Sequence, residues 1–408
     1  MPISPRVAWA LYDFANSAFA TTVMAGFFPL FFKQYWHQGD PSASTFALGV
    51  VNAASSALIM ILAPLLGAIA DQGRLHKALL FGFSLLGIAA TFGLAPLGPG
   101  LATAALILYG FGLIGFSGAN IFYDSLLVEV AKPQDYERVS SLGFALGYLG
   151  GGLLFAGNVG TVLNPALLGL ASPEQAIRLS FASVATWWLV FSVPLCLYVP
   201  QKPTAKPSLS LVRQGWRQCV ATLSHLRAHR PAFLFLIAYW LYIDGVDTIV
   251  RMAVDYGLNL GLAWKDLILA LLLVQFIGFP AAILFGRLGE SIGAKRAIFL
   301  GLWVYIGVTV FAAGLSSAAE FYVLAGLIGL VQGGVQALSR SLYAHLIPKA
   351  CAAEFFGFYN MLGKFAAVLG PFLVGATGLL FQDPRAGILS VLVLFILGAG
   401  LLHQVPAR

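Results

Sequence analysis

Charged residues are scarce in this chain. Asp, Glu, Lys and Arg make up only 10% of its 408 residues, against roughly 25% in a soluble domain. Hydrophobic residues make up 59%. So little charge cannot cover an ordinary water-exposed surface, which excludes a soluble globular protein and predicts a chain that lies in a lipid bilayer.

Cysteines, metal-ligand clusters and catalytic motifs are also few. The three cysteines, Cys196, Cys219 and Cys351, stand far apart without C-x-x-C spacing, so we expect free thiols. The sequence shows no metal-ligand cluster and no Ser-His-Asp arrangement. Segment 357–364 has one residue too many for a phosphate-binding loop, and the glycine pattern at 110–115 follows no strand and suits close helix packing. We therefore predict no enzyme activity, no cofactor and no resident metal.

Long apolar runs, by contrast, fill nearly the whole chain. An apolar helix needs ~18 residues to cross the hydrocarbon core of a membrane, and twelve runs approach or exceed that length. The predicted spans are 7–32, 46–70, 78–96, 101–130, 140–163, 177–199, 231–256, 265–288, 296–316, 320–346, 356–381 and 387–404. The fold class is therefore an all-α membrane protein with twelve transmembrane helices.

The largest break in this pattern is segment 200–230, which carries three prolines and six basic residues. It separates six spans from six. We predict an N-terminal six-helix bundle (1–199), a cytoplasmic linker (200–230) and a C-terminal six-helix bundle (231–408). Residues 210–229 of the linker form either an amphipathic helix on the membrane surface or a plain connection, and the sequence favours neither.

The positions of the basic residues explain the net charge of +7. If the N-terminus is inside, sixteen of the 23 Lys and Arg residues lie on the cytoplasmic side, four lie outside and three lie within spans. The positive-inside rule accounts for this asymmetry, so a nucleic-acid partner gains no support and both termini are expected in the cytoplasm. No small-residue cleavage site follows the short basic lead, so we expect the first helix to be retained.

A polar tetrad occurs once in each half of the chain. Both copies follow the pattern Trp-x-x-x-Asp-x-x-(Asn/Asp)-(Ser/Thr) and lie inside apolar spans, 231 residues apart. They comprise Trp9, Asp13, Asn16 and Ser17, and then Trp240, Asp244, Asp247 and Thr248. Carboxylates inside a membrane mark ion or substrate pathways, and a pattern repeated in two halves is typical of a transporter built by duplication.

Two further correspondences follow in the same order. Asn120-x-x-x-Asp124 in the fourth span aligns with Gln336-x-x-x-Arg340 in the tenth. Short loops of glycine, acidic and basic residues follow the second and eighth spans. Their members are Gly67, Asp71 and Arg74 in the first loop, and Gly286, Glu290, Gly293, Lys295 and Arg296 in the second.

These features together resemble the major facilitator superfamily. Segments 9–17, 244–248, 332–340 and 356–364 are similar to its vacuole-effluxer-like branch, which is named for a fungal vacuolar amino-acid exporter and has many bacterial members. The resemblance covers essentially the whole chain. It implies two six-helix bundles of major facilitator type, a bacterial inner-membrane location and a gating role for the two loops. The first loop is one residue short between acid and glycine, so that role carries over more securely to Glu290 than to Asp71.

The resemblance also implies that spans one, four, seven and ten surround a central cavity. The polar stripes of this sequence fall on those spans, and amide groups with an Arg fork suit a small ligand that carries a carboxylate. No histidine lies deep in a span, so a carboxylate is the expected proton carrier. The candidate substrate-binding or coupling residues are Asp13, Asn16, Asn120, Tyr123, Asp124, Asp244, Asp247, Arg251, Gln332, Gln336, Arg340 and Lys364.

Several of these residues have a structural alternative. Asp13 lies only six residues into its span and could reach the cytoplasmic interface. Charges near mid-span cost about 2.5–3.5 kcal/mol each, so the charged face of the seventh span should line the bundle interior, where Asp247 and Arg251 could form a purely structural pair. The long stem of Lys364 could carry its ammonium group to the interface.

We therefore predict a monomeric secondary transporter that moves a small solute across the bilayer by alternating access. The resemblance makes an amino acid or similar zwitterion the first candidate substrate, with protons as coupling ion. The alternatives are transport of a larger amphiphile, such as a drug, siderophore or muropeptide, and a non-transporting receptor or scaffold. Asp124 and Arg340 are predicted to pair across the two bundles as a gate, unless each pairs within its own half.

Overall fold

Twelve helices in the computed structural model are long and apolar enough to cross a membrane. The structure describes residues 3–37, 41–201, 209–224, 229–259, 263–365, 369–382 and 384–406, and within these ranges the regular structure is entirely helical. The spans are Pro5–Trp36, Phe46–Gly73, His76–Leu94, Ala102–Val130, Pro133–Leu163, Pro173–Tyr198, Arg230–Val250, Asp266–Ile292, Ala294–Ala313, Ala318–Leu346, Lys349–Gly378 and Arg385–Gln404. The predicted fold class is confirmed.

Several helices begin earlier than the hydrophobic pattern predicts, because polar capping residues precede the apolar run. Ser4 accepts a hydrogen bond from a first-turn amide, and Pro5 occupies the first helical position, where an amide hydrogen is not needed. Ser317 and Glu320 form a reciprocal capping box at the start of the tenth span. Such caps satisfy backbone donors that would otherwise be exposed, so they set the helix starts.

The first span is not a uniform α-helix. It is α-helical over Pro5–Ala18, changes to a π-helix over Phe19–Phe27, and has a second π segment over Phe32–Trp36. Pro29 lies between the two π segments. Its ring crowds the carbonyl four residues back and it donates no hydrogen bond, so the neighbouring turns widen. The side chains after Ala18 therefore point in directions that an α-helical projection does not predict.

The eleventh span is described in two parts. These are the helices Ala352–Phe365 and Leu369–Phe381, and the three residues between them lie outside the described part of the chain. The backbone N–H groups of Leu369 and Gly370 donate to a carboxylate of the seventh span, as shown below.

Close helix crossings join the first six spans to the last six. A Cβ atom added to Gly67, in the second span, would lie 2.1 Å from the carbonyl oxygen of Ala353 in the eleventh. One added to Gly286, in the eighth span, would lie 2.6 Å from the side chain of Ser141 in the fifth. Only glycine permits these approaches, so the two loop motifs begin at points where the halves are in close contact.

The two halves also meet at the end of the bundle that carries both chain termini, which we call the terminal end. A linker helix, Leu209–Ser224, packs there against both halves. Its Gly215 lies against Ile69 of the second span, and the Gln218 side chain hydrogen-bonds Gln72 and donates to Glu354, in the eleventh span, at 2.6 Å. The sequence predicted either an amphipathic helix or a plain connection in the linker, and the structure has a helix over residues 209–224.

Candidate substrate-binding and gating site

A central cavity of about 410 Å³ lies between the two halves. Its walls come from spans one, four, five, seven, eight, ten and eleven. The polar side chains that line it are Asp13, Asn16, Ser17, Thr21, Asn120, Tyr123, Asp124, Tyr148, Tyr239, Asp247, Gln275, Gln336, Arg340, Tyr359 and Asn360. This concentration of polar groups inside a membrane bundle is the expected signature of a solute site.

Arg340 of the tenth span is the centre of this cavity's charge network. It is only 2% exposed, and its Nη1 donates to Asp124 Oδ1 at 3.0 Å and lies 3.9 Å from Asp13 Oδ2. Its Nε and Nη2 donate to the hydroxyl and carbonyl of Ser140, each at 2.9 Å. A buried guanidinium is tolerated only when its charge and its donors are satisfied, and here the N-terminal half of the chain supplies every one of these acceptors.

Aromatic rings complete the surroundings of the guanidinium. Its central carbon lies 4.4 Å from the ring centroid of Phe144 and 4.9 Å from that of Trp9. Trp9 stacks on Tyr123 with a centroid distance of 4.4 Å and donates its indole N–H to the Tyr123 carbonyl at 2.8 Å. The first tryptophan of the repeated tetrad therefore fixes the aromatic wall that the cation rests on.

The carboxylates that face Arg340 have further partners. Asp13 accepts a hydrogen bond from the Tyr123 hydroxyl at 3.2 Å, and Asp124 accepts one from the Asn360 amide at 3.0 Å. Asn16 donates to the Asn120 side chain at 2.7 Å. Asp124 thus binds side chains of the tenth and eleventh spans, so the described contacts cross between the halves as the gate hypothesis expects.

The two carboxylates of the second tetrad have different surroundings. Asp247 lines the central cavity. Asp244 is fully buried and accepts the backbone N–H groups of Leu369 at 3.1 Å and Gly370 at 3.0 Å, with the Thr248 hydroxyl at 3.4 Å. It caps the second helix of the eleventh span, where a carboxylate meets the positive end of the helix dipole. Asp244 therefore does not line the cavity with Asp13, although the two occupy equivalent repeat positions.

Another carboxylate joins the halves at the terminal end. Asp71 accepts the backbone N–H groups of Ala353 at 3.0 Å and Glu354 at 2.8 Å, and it contacts the His76 ring at 2.9 Å. It therefore caps the eleventh span from the opposite half. Glu290, its repeat counterpart, is exposed. This is the reverse of the order expected from loop spacing, because the shorter first loop still brings its carboxylate onto a helix start.

Next to the eighth span, the contact between the halves that is equivalent to the Asp71 contact does not use the residues of the second loop. Glu137, at the start of the fifth span, lies 2.9 Å from the His345 ring at the end of the tenth. Lys295 of the second loop instead donates to the carbonyls of His403 and Val405 within its own half, while Arg74 and Arg296 are exposed. Sequence reasoning missed Glu137 because it precedes the predicted fifth span.

The whole chain has recognisable relatives. It matches the family described as "Vacuole effluxer Atg22 like" over residues 43–136 and 128–408. The chain belongs to this family. The "Uncharacterized MFS-type transporter YxiO" of Bacillus subtilis is 38% identical over 402 residues, covering 98% of this chain and 94% of that protein. Autophagy-related protein 22 of Cryptococcus neoformans is 28% identical over 318 residues, covering 72% of this chain and 56% of that protein. The Atg22-like chain thus spans little more than half the length of the fungal relative.

Solved structures agree on the fold. The human organic anion transporter MFSD10 superposes on this Atg22-like protein with a TM-score of 0.74 at 16% identity, covering 98% of this chain and all of that one. The proton:xylose symporter XylE gives a TM-score of 0.70 at 15% identity, covering 99% and 94% of the two chains. The fold is that of the major facilitator superfamily, and the protein is an MFS-type transporter.

Besides Asp244, two predicted residues of this Atg22-like transporter are absent from the described wall of the central cavity. Gln332 lines a second cavity, described below. Lys364 is half-buried in the eleventh span and does not belong to the described wall of the central cavity. The side chain of Arg251 lies outside the described part of the chain, so its predicted pairing with Asp247 stays a prediction.

Sequence reasoning missed Ser140, which binds Arg340, and several residues of the cavity wall, among them Phe144, Gln275 and Asn360. Ser140 begins the predicted fifth span, Asn360 interrupts the apolar run of the eleventh, and Phe144 looks like any apolar helix residue. Gln275 is a lone amide in the eighth span. A search for isolated polar residues in spans five, eight and eleven would have found Ser140, Asn360 and Gln275, but not Phe144.

Proposed function

We propose that this protein is a proton-coupled secondary transporter that carries a small zwitterion, such as an amino acid, across the bacterial inner membrane by alternating access. The observation that carries the proposal is the guanidinium of Arg340, which is held between the halves by Asp124, Asp13 and Ser140 at the wall of a polar cavity. A ligand carboxylate is the natural competitor for such a guanidinium, because Arg binds carboxylates through two parallel hydrogen bonds.

The charge balance of the cavity supports the proton and the ligand ammonium. Asp13 and Asp124 both face Arg340 in its wall, so two carboxylates share one guanidinium. Two carboxylates that share one cation in a low-dielectric site favour the uptake of a further positive charge. A proton and an ammonium group are both suitable, and a zwitterion brings its ammonium together with the carboxylate that Arg340 can accept.

The contacts at the terminal end support the alternating-access part of the proposal. Asp71 binds the start of the eleventh span, Glu137 binds His345, and Asp124 binds Arg340, and all three contacts join the two halves on the same side of the cavity. With the termini in the cytoplasm, as the basic residues predict, this is a closed cytoplasmic side. Transport then requires a second state in which these contacts are broken.

Reconstituted protein tests the proposal. Purified transporter, inserted into liposomes that contain a pH-sensitive dye, is given each of the common amino acids under an inward proton gradient. We expect at least one amino acid to accelerate acidification over empty liposomes, and Asp13→Asn to remove that acceleration because it removes a carboxylate beside Arg340.

The matched control is Asp266→Asn. Asp266 accepts a hydrogen bond from Tyr322 at 2.7 Å but does not line the central cavity, so its loss should leave the proton signal in place. Amino-acid uptake without proton movement would remove the coupling from the proposal. If no zwitterion is taken up, neither an amino acid nor a short peptide, or if Asp13→Asn behaves like Asp266→Asn, the proposed site is not the transport site.

A further inference from the structure

A second cavity of about 250 Å³ adjoins the central one. The two share Ala20, Thr21 and Gln275 in their walls, so together they offer a solute a polar part and an adjoining apolar part. The apolar part is lined by Ala25, Phe155, Val250, Leu267, Ala270, Leu271, Val274, Phe321, Leu324, Ala325, Ile328 and Gln332. A solute site with both parts suits a molecule that has a polar and an apolar end.

The walls of this apolar cavity face the inside of the bundle. Phe155 is 3% exposed, Leu267 1% and Ile328 4%, and they come from spans five, eight and ten. The widened π-helical part of the first span supplies Ala20 and Ala25 to the same wall. Side chains buried in this way are sealed from surrounding lipid, which favours a transported solute over a lipid chain as the occupant.

One polar atom in the apolar cavity has no partner. Gln332 Oε1 is buried and accepts no hydrogen bond from any described residue. A buried amide oxygen without a donor costs free energy, and such an oxygen is commonly satisfied by a ligand. The occupant is therefore expected to carry an N–H or O–H group within its apolar part.

The spacing along the tenth span gives the length of the occupant. Arg340, Gln336 and Gln332 follow each other at intervals of four residues, so Arg340 and Gln332 are about 12 Å apart along the helix axis at 1.5 Å per residue. One extended residue spans at most ~3.6 Å. A free amino acid is too short to reach both ends, whereas about three peptide units cover the distance and supply N–H donors along the way.

We infer that the preferred solute is a short peptide with a bulky apolar residue, its charged end in the polar cavity and its apolar side chain beside Ile328 and Gln332. The inference rests on the proposed function, because it assigns a substrate class to the same site. Burial of one aromatic or aliphatic side chain increases affinity on the order of tenfold to hundredfold. Peptides that carry one should be favoured by that factor.

Calorimetric titration of the purified protein tests this with four probes: L-alanine, trialanine, Phe-Ala-Ala and Ala-Ala-Phe. We expect one of the phenylalanine peptides to bind at least tenfold more tightly than trialanine, and trialanine to bind more tightly than alanine. Ile328→Trp fills the cavity and should bring the ratio of phenylalanine-peptide to trialanine affinity close to one. Gln332→Leu should weaken the peptide as well, because it removes the acceptor.

Leu330→Trp is the matched control, since Leu330 is on the same span but 46% exposed on the outer surface, and it should keep the wild-type ratio. If Ile328→Trp does not fold, Ala325→Leu narrows the same cavity. Equal affinity for alanine and the peptides overturns this inference and leaves the proposed function standing. A ratio that survives filling of the cavity also overturns it. If no zwitterion binds at all, the proposed function fails and this inference fails with it.

Discussion

Loss of the Asp124–Arg340 contact should shift the transporter away from the closed terminal end. The contact is 3.0 Å long, buried, and joins the fourth span to the tenth. Asp124→Asn keeps the shape of the side chain but removes its charge. Because the proposed gate makes this contact only while the terminal end is closed, the substitution should destabilise that state alone and change the ratio of the two states.

The size of the change in the ratio of closed to open protein depends on the groups that still contact Arg340 in the variant. Asp13 at 3.9 Å and Ser140 at 2.9 Å still satisfy the guanidinium in the variant, so the cost is below that of a fully unpaired buried charge. A charged hydrogen bond contributes about 1.5–3 kcal/mol, which is roughly a tenfold to hundredfold change in the ratio of closed to open protein. Arg340→Gln should have a larger effect, since it leaves two carboxylates without their cation.

Pulsed electron paramagnetic resonance measures this change directly. Spin labels at Gln134 and Lys349, two exposed positions at the terminal end of opposite halves, report the distance between the halves. The three native cysteines are first replaced by serine. We expect a single short distance in the parent protein, an added longer distance in Asp124→Asn, and partial recovery when Asp124→Arg is combined with Arg340→Asp.

The same labels in Asp266→Asn provide the control, because this carboxylate lies outside the central cavity and contacts neither of the paired residues. An unchanged distance distribution in both single variants would show that the pair does not gate the terminal end. Failure of the exchanged pair to recover any of the short distance would show that Asp124 and Arg340 act separately.

Three other measurements follow from the structure. Asp244→Ala should lower the free energy of unfolding by about 1–3 kcal/mol, because the backbone amides of Leu369 and Gly370 lose their acceptor. Thermal unfolding in detergent measures this change, and an unchanged unfolding midpoint would contradict the capping role. Burial and the nearby Glu354 carboxylate raise the pKa of the Cys219 thiol to about 11, so iodoacetamide at pH 8 should modify it on the order of 100-fold more slowly than free cysteine, whose pKa is about 8.5, with a rate that climbs as the pH approaches 11. Similar rates for both thiols would refute this. A thiol placed at the exposed position 213 of the linker helix, in a protein without other cysteines, should resist an impermeant maleimide in intact cells and react after lysis, and reaction in intact cells would reverse the topology.

The fold could be predicted because hydrophobic length and charge asymmetry are properties of the sequence itself. Twelve apolar runs give twelve spans, and the errors lie where a local feature interrupts a run. Pro29 is visible in the sequence, but the extent of the π-helix around it depends on what packs beside it. The contact of Asp244 with the Leu369 and Gly370 amides was equally hidden, because the sequence does not show which helices face each other.

The candidate site was predictable only in part, since a sequence shows which polar residues are buried but not what they face. Asp13 and Asp244 have the same place in the repeated tetrad, yet one lies beside Arg340 and the other caps Leu369 and Gly370. The difference arises from the eleventh span, which presents the amide donors of Leu369 and Gly370 to the seventh. The role of Ser140 could not be predicted, because the residues that precede and follow it in the sequence do not indicate that it binds a guanidinium.

The duplication also explains why the central pair has opposite charges. Asp124 and Arg340 occupy equivalent positions in the two halves, and pseudo-symmetry brings equivalent positions of the fourth and tenth spans together at the interface. Two identical charges there would repel each other and hold the terminal end open, whereas two neutral residues would give little difference between states. One carboxylate and one guanidinium make the contact favourable in the closed state and costly to separate without a replacement. A ligand that carries both a carboxylate and an ammonium group can replace each partner, so the same chemistry that holds the halves together also selects what can release them.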